Sequence, residues 1–247
     1  MSKIVLYYFP YAGASSVTFN PWKKFFVPEI EFVTIDYAGH GKRRGERFYE
    51  SVKEACSDIY NIIKNDVQNY DYFYFGGHCI GAIIAFEMYY YIKEKNEIKL
   101  PDAIFLSGQG APNLAKSENL SLMDNDELLM HLYNNKSISS DMLDKEIYEY
   151  VGNFVLAPVK ADSKIFEDYK YEPKNDLVES SLYILYGNKD ILYQYEDFKA
   201  WDKFTKKLVK YYCFDGGHYF INSESEQYIK NIKYEIAEYE KNNIKSI

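Results

Sequence analysis

Six short apolar runs divide the chain, each closed by a turn of small or polar residues. They are KIVLYYF (3–9), EFVTIDY (31–37), YDYFYF (70–75), DAIFLSG (102–108), SLYILYG (181–187) and KLVKYYCF (207–214). Runs of this length with many β-branched and aromatic residues predict buried strands. Between the second and third runs, Val52, Cys56, Ile59, Ile63 and Val67 recur at helical spacing and predict an amphipathic helix over 51–69. IIAFEMYYYIKEK, free of Gly and Pro, predicts a second helix, closed by Leu100 and Pro101. Strand, helix, strand, helix, strand predicts an α/β fold on a parallel sheet with right-handed crossovers.

The alternation breaks at 113–173, where no run reads as a buried strand. Leu128, Leu129 and Leu132 predict a short helix. Leu143, Ile147, Val151, Phe154 and Val155 predict a longer one that ends before Pro158. A helical insertion between two strands is a candidate lid over the C-terminal edge of the sheet, against the plainer reading of a packed insert. Helix is expected again near 195–204. Ile229, Ile232, Ile236 and Tyr239 mark a C-terminal amphipathic helix whose last few residues should fray. With no repeat or linker, one domain over 1–247 is expected, with its insertion at 113–173.

Chemistry enters with GGHCIGA (76–82), a Gly-x-nucleophile-x-Gly stretch between a predicted strand and a predicted helix. That is the context of a nucleophile elbow. Gly77 and Gly81 let strand and helix approach closely, and Cys79 at a helix N-terminus is favoured as a thiolate. Two further groups lie just past later strands, Asp190 in GNKD and His218 in DGGHYF. A parallel sheet gathers all three at one edge, in the chain order nucleophile, acid, histidine. His218 is then the base, Asp190 its orienting partner, and the N–H groups of Ile80 and Ala12 the expected oxyanion donors. Asp190 also reads as a turn residue, and Asp215 is an alternative acid, but it lies close to His218 in sequence. His78, His40 and His131 are weaker candidates. Cys56 falls on an apolar stripe and reads as core. Cys213 reads as a structural strand residue.

Composition narrows the classes. A net charge of -8 argues against a nucleic-acid surface and against adhesion to anionic membranes. No segment approaches a membrane span. The opening MSKIVLYYFPYAG enters a strand at once without a cleavage-site pattern, and three cysteines do not suggest a disulfide framework, so cytoplasm is the expected compartment. The histidines and cysteines have no metal-ligand spacing, and the glycine-rich stretches lack a phosphate-loop or dinucleotide fingerprint.

FPYAGAS, GHGKRRGE, FGGHCIGAIIAFE, SGQGAP, MDNDELL, KADSKIFEDYKYEP, AWDKFT and FDGGHYF follow one another in the order of one family's segments. By these motifs the chain resembles the type II thioesterases, the stand-alone editing enzymes of non-ribosomal peptide and polyketide assembly lines. The resemblance implies an α/β-hydrolase fold: a mostly parallel central sheet flanked by helices, with a helical lid. It implies a substrate of acyl or aminoacyl thioester on the phosphopantetheine arm of an acyl or peptidyl carrier protein, and no diffusible cofactor. It carries over Cys79, Asp190 and His218 as the triad and Ala12 and Ile80 as oxyanion donors. A monomer is expected. The chain departs from the family at Ala38 and His40, where Pro and Arg are usual, at Ile80 for Met, and at Cys79 for Ser. A cysteine acyl-enzyme is itself a thioester, so transfer to a second carrier or an amine stands beside hydrolysis. A dienelactone-type hydrolase of small molecules would also suit a cysteine triad on this fold, and a non-catalytic binding module would need no triad at all.

Overall fold

In IVLYYF every side chain is buried, yet successive residues go to opposite sides. Val5, Tyr7 and Phe9 join one apolar cluster; Ile4, Leu6 and Tyr8 join another. A strand apolar on both faces belongs inside a parallel sheet covered by helices on both sides. The computed structural model, which describes residues 2–244, has that arrangement. Strands β1 (Ile4–Phe9), β2 (Glu31–Thr34), β3 (Tyr72–His78), β4 (Ala103–Ser107), β5 (Ser181–Gly187) and β6 (Val209–Phe214) form one sheet. Their order is β2-β1-β3-β4-β5-β6, and every pairing is parallel.

Helices α1 (Val52–Ile63) and α2 (Ile80–Lys95) cover one face. The insertion contributes α3 (Asn125–Asn134) and α4 (Ala157–Glu167), and the C-terminal helix α5 (Ser225–Ile244) covers the opposite face through Ile229, Ile232 and Ile236. The expected fraying of the last few residues falls outside the described residues.

Several boundaries differ from the sequence reading. The helix expected over 51–69 stops at Ile63, and a separate 3-10 turn, Val67–Asn69, follows. The stripe runs across the break because Val67 stays buried, while Asp66 is held by the Tyr7 hydroxyl at 2.7 Å. The insertion helix does not end before Pro158. Helix Tyr148–Val151 passes through a π turn, Gly152–Leu156, directly into α4. The wider turn bonds Ala157 N–H to the Gly152 carbonyl, so the helix absorbs a proline where its ladder is already interrupted. It also moves the buried stripe from Val151 to Leu156 and turns Phe154 out to solvent, against Tyr150. Cys213 lies on β6 as expected, but its side chain is exposed and not part of the core, whereas Cys56 is buried as read. The sequence reading missed a helical stretch of three short pieces, Ser16–Phe19, Asn20–Trp22 and Lys23–Phe26. Its signal was present: Phe19, Trp22 and Phe26, all buried, recur at helical spacing.

The insertion packs on itself. Leu120, Leu128, Leu129, Leu132, Val151, Leu156 and Val159 form an apolar cluster separate from the two on the sheet.

Candidate active site

The turn between β3 and α2 is the most constrained point of the backbone. Cys79 caps α2 with φ 55° and ψ -124°, and its N–H bonds the Ser107 carbonyl at 2.9 Å. A non-glycine residue in that region costs about 1–3 kcal/mol and persists only where its surroundings enforce it. Here the surroundings are two glycines. A Cβ on Gly77 would overlap the Gly81 carbonyl, and one on Gly81 would overlap the Phe9 carbonyl. Strand and helix therefore close on each other with no room for a side chain, and Cys79 stands half-exposed at the bend.

Asp190 follows β5 and His218 follows β6, and backbone bonds lace the two loops together. Asn188 N–H reaches the Phe214 carbonyl at 2.9 Å and Lys189 N–H the Gly216 carbonyl at 2.8 Å. His218 Nδ1 lies 2.9 Å from Asp190 Oδ2, and the other Asp190 oxygen accepts Leu192 N–H at 2.9 Å. Since the carboxylate only accepts, the proton sits on Nδ1. Nε2 has no protein hydrogen-bond acceptor or donor of good geometry and is left for Cys79. Burial opposes a charge on this ring. The nearby Cys79 and the hydrogen bond that Nδ1–H donates to Asp190 outweigh it, and the imidazole is pushed up to about 10.

Ala12, Ile80, Cys79 and His218 line one cavity of about 30 Å³. Ile80 is the first residue of α2, where an N–H has no acceptor within the helix. Gly13 N–H bonds Asp162 and Ala14 N–H bonds the Tyr11 carbonyl, while Ala12 N–H has no acceptor among the described residues. The roof comes from the insertion, including Glu118, Leu120, Ser163 and Phe166. Nothing in the sequence marks these four as site residues, because only the fold brings the insertion over the sheet edge. The space next to Cys79 is about the volume of one water. A cavity of about 460 Å³ shares Ala12 with it, and one of about 670 Å³ shares His218 and Tyr219.

The weaker candidates are placed elsewhere. Asp215 is exposed and paired with Lys189 at 2.7 Å, so it does not serve His218. His131 is on α3, 3.4 Å from Glu118. His78 is fully buried behind the site, its Nδ1 2.9 Å from Ser107 Oγ. Burial and the nearby His218 keep its pKa well below the usual range, so it stays neutral. His40 is buried beside Asp162. Among the described residues, no cluster of His, Cys, Asp and Glu is arranged to hold a metal, and no helix is long and apolar enough to cross a membrane.

A parallel sheet flanked by helices, with a cysteine elbow facing a His–Asp pair at one edge, defines an α/β-hydrolase. The family model described as the thioesterase domain matches residues 5–236, and the chain belongs to that family of thioester hydrolases. It is 27% identical over 239 residues to the gramicidin S biosynthesis protein GrsT of Aneurinibacillus migulanus, covering 93% of this chain and 87% of that one. It is 25% identical over 239 residues to the linear gramicidin dehydrogenase LgrE of Brevibacillus parabrevis, covering 96% and 89%. The crystal structure of ClbQ from the colibactin NRPS/PKS pathway superposes with a TM-score of 0.85 at 25% identity, covering 97% of this chain and 99% of that one.

Proposed function

We propose that this chain is a type II thioesterase of a non-ribosomal peptide or polyketide assembly line. It hydrolyses acyl or aminoacyl groups from the phosphopantetheine arm of a carrier protein through Cys79, His218 and Asp190. The observation that carries this is the half-exposed Cys79 on a strained elbow, sharing one cavity with His218, which Asp190 holds at 2.9 Å. The biosynthetic names of GrsT and ClbQ support the assembly-line setting. LgrE is named a dehydrogenase, and the glycine-rich stretches of this chain carry no dinucleotide fingerprint.

Cys79, its proton on His218, attacks the thioester carbonyl. The oxygen takes the negative charge and the N–H groups of Ala12 and Ile80 receive it. Collapse breaks the carbon–sulfur bond to the pantetheine, whose sulfur takes the proton from His218. Neutral His218 then removes a proton from water, which attacks the acyl-Cys79 bond. Collapse releases the free acid and restores the thiolate–imidazolium pair. The arm arrives with the carrier, so no diffusible cofactor is needed. The insertion acts as a lid: Glu118, Leu120, Ser163 and Phe166 roof the space at Cys79, and the larger cavities beside it share lining residues with that space and offer room for an acyl chain.

Cys79 itself favours a second reading. Its acyl-enzyme keeps thioester energy, so the group can pass to another thiol or an amine. Intact-mass spectrometry with acyl-loaded carriers, with and without an empty acceptor carrier, decides. Loss of a Cys79 adduct to water supports the hydrolase, and movement to the acceptor supports transfer. No adduct and no turnover with any carrier rejects both.

A further inference from the structure

Asp162 belongs to the insertion, on α4, and only 3% of it is exposed. One of its oxygens serves two loops outside the insertion. Oδ2 accepts Gly13 N–H at 2.8 Å and lies 3.0 Å from His40 Nε2. Gly13 has φ +78°, and a Cβ there would overlap Val159 Cγ2 on α4. The loop after β1 is therefore pressed flat against the helix one turn before Asp162. His40, also 3% exposed, places Nδ1 3.0 Å from the Ala38 carbonyl. Nδ1 faces a carbonyl, which only accepts, and Nε2 stands at ion-pair distance from the Asp162 carboxylate without an aligned hydrogen bond, so the surroundings favour the cationic ring. Burial works against that charge, but Asp162 and the Ala38 carbonyl hold the ring's pKa above its usual value.

Ala12, the expected oxyanion donor, is the residue before Gly13. We propose that Asp162, braced by His40, is a positioning residue that fixes this loop so that Ala12 N–H faces the reacting carbonyl. The oxyanion hole is then complete only when the insertion is seated, because α4 carries the group that holds the loop. Chemistry waits for closure. The inference rests on the reading of Cys79 and Ala12 above.

The titratable groups beside His40 are Asp162 from α4 and Asp36 and Tyr37 from the loop after β2, and Arg44 lines the same cavity as His40. Of these, Asp36 is occupied by Ser16 and the Lys42 N–H. As pH rises through the raised pKa of His40, the cation is lost. Asp162 then keeps Gly13 alone, and the loop loosens.

The test is kcat and KM for an acyl-carrier substrate across pH, for wild type, Asp162→Ala, His40→Gln and His40→Arg. Alkylation of Cys79 by iodoacetamide is measured in parallel, since that displacement uses no oxyanion donor. Asp162→Ala is expected to lower kcat by about 10- to 100-fold, less than loss of a direct donor, with KM within about twofold and alkylation unchanged. His40→Gln moves the same way. His40→Arg keeps kcat and removes the His40 contribution to its alkaline fall. Equal kcat in wild type and Asp162→Ala would overturn the proposal, as would parallel losses of turnover and alkylation. A wild type that never acylates Cys79 would overturn this and the parent reading together; one that acylates, with a matching Asp162→Ala, would overturn this alone.

Discussion

Cys79 has two tasks on the proposed chemistry, attack and storage of the acyl group, and they separate by substitution. Cys79→Ala should abolish the acyl adduct and reduce turnover by at least about a thousandfold, read by intact mass and product release. Cys79→Ser should hydrolyse but lose any transfer to an acceptor carrier. The His218–Asp190 contact makes a second prediction. Without the Asp190 carboxylate, one of the influences raising the imidazole is gone. Asp190→Asn should move the His218 titration, followed by NMR, down from about 10 and slow turnover by about 10²–10⁴. The sign for stability follows from linkage. A raised histidine stabilises the fold fully below its unfolded pKa and loses that contribution as pH climbs through the folded value. The urea midpoints of wild type and Asp190→Asn should therefore differ most in acid to neutral solution and converge in alkali. Cys79, Asp190 and His218 are legible in the sequence because each follows its own strand, and the strands of a parallel sheet end together. Asp162 and His40 are not legible as a pair, because no local pattern shows that a helix in the insertion will meet the loop after β2.

The elements follow local chemistry where burial is regular and depart from it where one residue interrupts the ladder. α2 forms where the run free of Gly and Pro predicts it and is buried on most sides, and α5 keeps its stripe. Pro158 has the look of a stop, and the π turn before it carries the helix through. The missed helical stretch at 16–26 is broken into three pieces, each too short to show a period alone. The elbow makes the sharpest demand on a single element. Gly81→Ala would press a methyl into the Phe9 carbonyl, which belongs to the neighbouring β1 backbone and cannot rotate away. It should cost about 3 kcal/mol of stability, seen as a lowered melting temperature, with loss of turnover as α2 is pushed off β1.

Among the described residues, three apolar clusters set what can move. Two lie on the sheet and the third within the insertion, which is also tied to one sheet cluster through Ile165 and Phe166 at the C-terminal part of α4, so the freedom to shift is greatest in the part of the insertion before Ile165. Leu128→Ala, at a fully buried position of that third cluster, should lose about 2–5 kcal/mol of local packing. Hydrogen exchange should rise across 120–167 while the amides of β1, β3 and β4 keep their protection. The strand order has a consequence for how activity appears in time. β6 is an edge strand and the last strand in sequence, and the proposed base hangs from its end. A ribosome finishes the elbow, the oxyanion loop and the insertion long before it delivers that final strand. Until then the proposed nucleophile has no base beside it. On the proposed chemistry, turnover waits for β6 and the loop that carries His218, so activity reports that this last strand has joined the sheet.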